Sequence, residues 1–205
     1  MNATEGRLSS DDRREQILAA ATAVFGERGY AGGTTDAIAR EAGISQAYVV
    51  RMFGSKERLF LEVARRAVGR LEAGFRAAIA QFDDSHGNLE RQSALGQVYG
   101  ELVADRGILL SLLHLFGLGH DPVFGPEARG AFLGVYRLIR EEAGFTAEEA
   151  TEFFARGMLN TILLAMRMPD ARADATAFEL LSTSMGPQCE AILALYQAEP
   201  PRAGR

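Results

Sequence analysis

The stretch GISQAYVVRMFGSK, Gly43 to Lys56, carries more hydrogen-bonding chemistry than a helix needs for packing alone. At about 100° per residue, Val49 and Phe53 fall together on one side. Ala47 and Arg51 point the opposite way, flanked by Tyr48 and Val50. Gln46 heads the segment and can both donate to and accept from a base edge such as adenine, while Arg51 suits a guanine edge or a phosphate. Ala47 is small enough for close backbone approach and fits a thymine methyl. Tyr48 offers a hydroxyl to phosphate from the rim. Lys56 stands at the N-terminus of the following helix, where backbone N–H groups join it in holding a phosphate. Thr34 and Thr35 do the same one helix earlier. The predicted chemistry is contact with double-stranded DNA.

Helices must position these groups. No segment shows sustained strand-like alternation, and helical spacing recurs along the chain, which predicts an all-α protein. The first helix begins after Ser9 or Ser10, with Asp11 and Asp12 in its first turn, and its apolar stripe reads Ile17, Ala20, Ala21, Val24, Phe25. Gly29 suits a left-handed terminator, and GYAGG reads as a flexible connection. Thr34 caps a short helix, Thr35 to Ala42, with Ile38 facing inward. Gly43 breaks it, Ser45 caps Gln46 to Phe53, Gly54 stops that helix, and Ser55 caps a long fourth. Two short helices across a glycine turn, behind one longer helix, make a helix-turn-helix arrangement.

The fourth helix carries apolar residues from Leu59 to Phe82 at three- and four-residue steps and would extend roughly 40 Å. DDSHGN, Asp83 to Asn88, reads as a loop. Beyond it the spacing predicts helices over about Leu89–Asp105, Gly107–Leu118, Pro126–Glu142, Ala147–Met168 and Ala175–Ala198, the last kinked at Gly186-Pro187. PPRAGR at the end reads as frayed. The organisation predicted is a helix-turn-helix domain over residues 1–55 and a helical bundle over 56–205.

Composition bounds the function. The chain has 205 residues, 47% hydrophobic and 24% charged, with a net charge of −5. Residues 1–60 hold eight basic and eight acidic side chains; the rest hold fourteen and nineteen, so any nucleic-acid contact is local and N-terminal. The single cysteine, Cys189, excludes an internal disulfide and a cysteine-rich zinc site. The polar N-terminus has no signal-peptide core, and GILLSLLHLFGLG, Gly107 to Gly119, is too short to span a bilayer. The expectation is a cytoplasmic protein without membrane attachment. No Glu stands three residues before His86, His114 or His120, which argues against a di-iron bundle. Lys56 is the only lysine, so there is no phosphate-loop lysine either. Neither a catalytic set, a metal site nor a cofactor is expected.

With those residues in place, FGERGYAGGTTDAIAREAGISQAYVVRMFGSKERLF resembles the N-terminal DNA-binding domain of TetR-family transcriptional regulators, from about Arg14 to Leu61. Phe25, Gly29-Tyr30, TTDAIAREAGIS and FGSKERLF stand in order at family spacing. The family usually has an aromatic, often Tyr, at the position of Val50, and often His or Tyr at that of Met52. The phosphate contact of that tyrosine therefore does not carry over to Val50, and Tyr48 is the replacement expected. The resemblance implies a homodimer that binds a palindromic operator, most often as a repressor, and is released by a small-molecule effector.

Two further sets follow. The expected effector pocket uses Tyr99, Leu109, Leu113, His114, Phe116, Phe124 and Met158. The expected dimer contact uses Phe153, Phe154, Gly157, Met158, Thr161 and Ala165 on one helix, with Leu180, Leu181, Ile192, Leu195 and Tyr196 from the last region. The rival to a regulator is an all-helical ligand carrier whose helix-turn-helix no longer binds DNA.

Overall fold

Side-chain caps set most helix starts in the computed structural model, which describes residues 9–83 and 85–198. Ser9 accepts from the Asp12 amide and Asp12 answers to the Ser9 amide, opening α1, Ser10–Gly32. Thr34, Ser45 and Ser55 each accept from the amide three residues on and open α2 (Thr35–Glu41), α3 (Gln46–Phe53) and α4 (Lys56–Ile79). Each such bond satisfies one of the orphan amides at a helix start, worth about 1 kcal/mol. The body follows as α5 (Asn88–Ala104), α6 (Arg106–Gly117), α7 (Gly125–Arg137), α8 (Ala147–Ala165), α9 (Ala175–Met185) and α10 (Cys189–Ala198). No strand occurs among the described residues.

Three departures from the sequence expectation have local causes. Gly29 does not end α1. Its φ of 66° and ψ of 179° bend the helix, and one further turn follows to Gly32. The GYAGG connection is packed rather than loose: the Tyr30 ring lies 5.3 Å from that of Phe60 and 4.6 Å from that of Phe124. The helix expected over Pro126–Glu142 changes to a π turn at Leu138–Glu142, where the Ala143 amide donates to the Leu138 carbonyl five residues back. The extra residue per turn keeps both Leu138 and Ile139 buried. The kink at Gly186-Pro187 appears as a 3₁₀ turn between α9 and α10. The expectation for PPRAGR lies outside the described residues.

Three apolar cores result. The first joins α1, α2, α3 and the start of α4, and is closed from the body side by Leu115, Phe124 and Ala128. The second gathers the remainder of α4 with α5, α6, α7 and α8. The third lies among α5, α6, α8, α9 and α10 and holds the buried Cys189 thiol. The first two are tied together where α1 crosses α6. A Cβ on Gly26 would stand 3.1 Å from the Gly107 Cα, so the crossing is backbone on backbone, and one on Gly107 would stand 3.1 Å from the Thr22 methyl.

Phe60 is fully buried and meets Phe25 at 5.1 Å and Phe124 at 5.3 Å between ring centroids, edge to face in both cases. Phe60→Ala should lower the unfolding free energy by about 3–5 kcal/mol, read from urea denaturation. A loss below about 1 kcal/mol would mean that this aromatic node is not what closes the first core.

Candidate functional site

The outward face of α3 is built by locking its inward one. Val49 is fully buried and Phe53 nearly so, against Ile38 and α1, leaving Gln46, Ala47, Val50 and Arg51 exposed. Tyr48 is half-buried, and the Arg51 guanidinium lies 4.6 Å from its ring centroid. Such a cation–ring contact at an exposed site is worth about 0.5–1 kcal/mol, which limits where Arg51 points without neutralising it. Gln46 Nε2 donates to Thr35 Oγ1 at 2.9 Å, linking the heads of α2 and α3. Thr34 is exposed, with its hydroxyl committed to the Ala37 amide.

Lys56 sits behind this face rather than projecting freely. Its Nζ donates to the Tyr30 carbonyl at 3.0 Å and lies 4.3 Å from the Tyr30 ring centroid. The Tyr30 hydroxyl donates to Glu57 at 2.7 Å. Burial first, and the adjoining carboxylate second, push the Tyr30 hydroxyl up to about 12. The same hydrogen bond holds the Glu57 carboxyl below its ordinary range. Val50, expected to flank this face, is 42% exposed beside Ala47 and Arg51 and adds an apolar side chain to it. One position escaped the sequence reasoning. Arg58 is exposed with its guanidinium over Gly54, at the junction of α3 and α4. Met52, by contrast, packs on the first core and does not share the outward face.

The body holds a cavity of about 70 Å³ between α4, α5, α6, α7 and α8. Tyr99, Leu109, Phe116 and Met158 line it, joined by Phe75, Phe132 and Ile139 among others. Three expected pocket residues lie elsewhere. Phe124 belongs to the aromatic node of the first core. His114 turns toward α1, where its Nε2 donates to the Gly26 carbonyl at 3.2 Å. Leu113 is half-buried and off the cavity wall, where Leu112 takes the inward position. The apolar spacing of α7, with Phe132 and Val135, was the signal that would have found the missing wall.

The residues expected at a dimer contact are largely turned inward. Phe153, Phe154, Gly157, Met158 and Thr161 all line the cavity. Leu181 and Ile192 are buried in the third core, and Ala165 packs on it. Tyr196 is half-buried, with the Arg167 guanidinium 5.9 Å from its ring centroid. The exposed apolar side chains of α8 are Leu159 and Ile162, followed by Met166 at its C-terminal cap, which is 63% exposed. Phe178 and Leu180 on α9 and Leu195 on α10 are exposed as well. Past Arg156, α8 carries apolar side chains on both sides, so the pattern there does not show which stripe is inside.

No group of three or more His, Cys, Asp or Glu side chains that could hold a metal ion occurs among the described residues. No helix of the described residues is long and apolar enough to cross a membrane.

Known proteins match both parts of this architecture. Residues 17–63 match the family model for bacterial regulatory proteins of the tetR family. The HTH-type transcriptional activator FasR of Mycolicibacterium smegmatis is 40% identical over 88 residues, 43% of this chain and 40% of that protein. The HTH-type transcriptional regulator BetI of Rhizobium meliloti is 37% identical over 155 residues, 76% of this chain and 64% of its own length. The matched region thus spans less than two thirds of either relative. Across the whole fold, a TetR-like regulator from Rhodococcus sp. RHA1 superposes with a TM-score of 0.63 at 19% identity, covering 93% of this chain and 97% of the other.

The hydrogen bond from Gln46 to Thr35 ties the heads of α2 and α3 together. Thr35→Val should leave global stability within about 1 kcal/mol, because one exposed hydrogen bond is lost, and should broaden the Gln46 side-chain amide signal by NMR. An unchanged signal would show that Thr35 does not hold Gln46.

Proposed function

We propose, from a chain that belongs to the tetR family of bacterial regulatory proteins through its N-terminal domain, that this protein is a ligand-responsive, DNA-binding transcriptional regulator acting as a homodimer. The observation that supports this reading most is the outward face of α3: Gln46, Ala47, Val50 and Arg51 exposed together on a helix whose other side is sealed by Val49 and Phe53. A recognition helix needs that division, because its outer residues enter the major groove while its inner ones hold the angle of entry. In this reading Gln46 and Arg51 touch base edges and Ala47 and Val50 meet thymine methyls. Tyr48, Thr34 and Thr35 face the phosphate backbone, and Lys56, with one N–H given to the Tyr30 carbonyl, keeps two donors for it.

One eight-residue helix makes few contacts, so useful specificity calls for two copies about 34 Å apart on a palindromic operator. The surface we assign to the second copy is the exposed apolar face of α8 and α9, centred on Leu159, Ile162, Met166, Phe178 and Leu180 and continued by Leu195. Monomeric proteins seldom leave such a set uncovered. The cavity is the effector site. Phe116 lines it and also packs on the first core, so an occupant bears directly on the α1–α6 junction. Residues 1–55 read DNA and residues 56–205 bind effector and partner. The protein is a repressor released by its effector, and it works in the cytoplasm without enzymatic activity. The relative named a transcriptional activator carries the opposite sign, and expression of a reporter behind the operator distinguishes the two.

Selection of bound fragments from random genomic DNA should enrich a palindrome; enrichment of nothing would favour the carrier reading. On the selected site, Gln46→Ala and Arg51→Ala should each cost about 1–3 kcal/mol and relax the sequence preference at one position per half-site. Lys56→Ala should weaken binding to all sequences and reduce the salt slope by about one. Unchanged affinity and footprint for both Gln46→Ala and Arg51→Ala would show that the recognition face is misplaced. Ile162→Arg should give a monomer by sedimentation and lower operator affinity by about a hundredfold, as expected when two linked sites become one.

A further inference from the structure

Seventeen residues wall the cavity, and only two of them present a side-chain oxygen, Tyr99 and Thr161. Their hydrogen bonding leaves a vacancy of one kind. The Thr161 hydroxyl donates to the Gly157 carbonyl at 2.8 Å. The Tyr99 hydroxyl is hydrogen-bonded to Thr161 Oγ1 and lies 3.3 Å from the same carbonyl. Each hydroxyl has one proton to give. With that of Thr161 committed to Gly157, that of Tyr99 goes to Thr161 or to the carbonyl. Both donors are then engaged, and lone pairs on the Tyr99 oxygen remain free to accept. Burial pushes the Tyr99 hydroxyl up to about 12, so it stays a neutral phenol. Among the described residues no Asp, Glu, Lys, Arg or His lines the wall, so an ion buried there would meet no counter-charge.

We infer that the cavity takes an uncharged, largely apolar molecule carrying one hydroxyl or N–H donor, which gives its proton to Tyr99 Oη. The inference rests on reading the cavity as the effector site. A molecule with only acceptors, such as an ether or ester, would have to break the Tyr99–Thr161 bond or leave its own oxygen unpaired. At about 70 Å³ the unoccupied space is under half that of an apolar cavity known to take benzene, about 150 Å³. An occupant therefore displaces rings. The edge-to-face series Phe116–Phe132–Phe154, at 5.4 and 5.0 Å, is the part of the wall that must give.

Octanol, octyl methyl ether, octanoate and octylammonium share a chain and differ in the head group. Titrated into the full DNA-free protein and followed by calorimetry, octanol should bind about tenfold more tightly than the ether, the factor that one net hydrogen bond supplies. The two ions should show no saturable binding. Tyr99→Phe should bring the alcohol-to-ether ratio close to unity. The assignment is overturned if the ether or either ion matches the alcohol, if the ratio survives Tyr99→Phe, or if the alcohol does not saturate. The ranking on the unaltered protein decides the matter even where the variant fails to fold. Operator binding without any probe is scored separately. Its absence counts against the regulator reading, whereas an octyl ion that binds and releases operator overturns the donor rule and leaves the regulator standing.

Discussion

The contact on which the rest depends is the crossing of α1 and α6 at Gly26 and Gly107. There the two backbones meet with no side chain between them. The close approach brings the C-terminal half of α6 against the first core, where Leu115 is fully buried. It also lets His114 reach the Gly26 carbonyl beside the bend at Gly29. Helix α6 therefore belongs to both parts of the molecule. Its Leu109 and Leu112 face the cavity, Phe116 touches cavity and first core, and its other side is fitted to α1. Interfaces packed this closely shift between discrete arrangements rather than deforming smoothly.

A second connection is α4, whose 24 residues extend about 36 Å. Its start lies beside α3 and its far half, through Leu71 and Phe75, lines the cavity. Ion pairs hold it to α1 along the way: Arg14 meets Glu62 and Arg66 meets Glu15, each at 2.5 Å. Both pairs are substantially exposed, so each contributes less than about 1 kcal/mol and serves register more than stability. Helices α4 and α6 thus both connect the cavity wall to the first core.

Much of this was readable from residue types. Ser9, Thr34, Ser45 and Ser55 are short polar side chains before apolar periodicity, and each starts a helix because an orphan amide needs its oxygen. The orientation of α3 was legible because Val49 and Phe53 are the apolar pair and the polar residues lie opposite. The body was less legible where polarity gave no contrast. On α8, Phe153 and Met158 face the cavity while Leu159 and Ile162 face outward, and periodicity alone does not separate two apolar stripes on one helix. His114 and Phe124 were drawn to the pocket by their neighbours in sequence. Their true partners, Gly26 and Tyr30, stand about ninety residues earlier, a separation that no local pattern reports.

The empty space behind Tyr99 also bears on how firmly the chain holds its shape. An apolar space of about 70 Å³ forgoes contacts that a filled core would make. Any guest that fits recovers some of them. The loaded chain should then outlast the vacant one in the cell, where marginally stable proteins are cleared in proportion to how often they open. Abundance then becomes a quantity that such a guest sets.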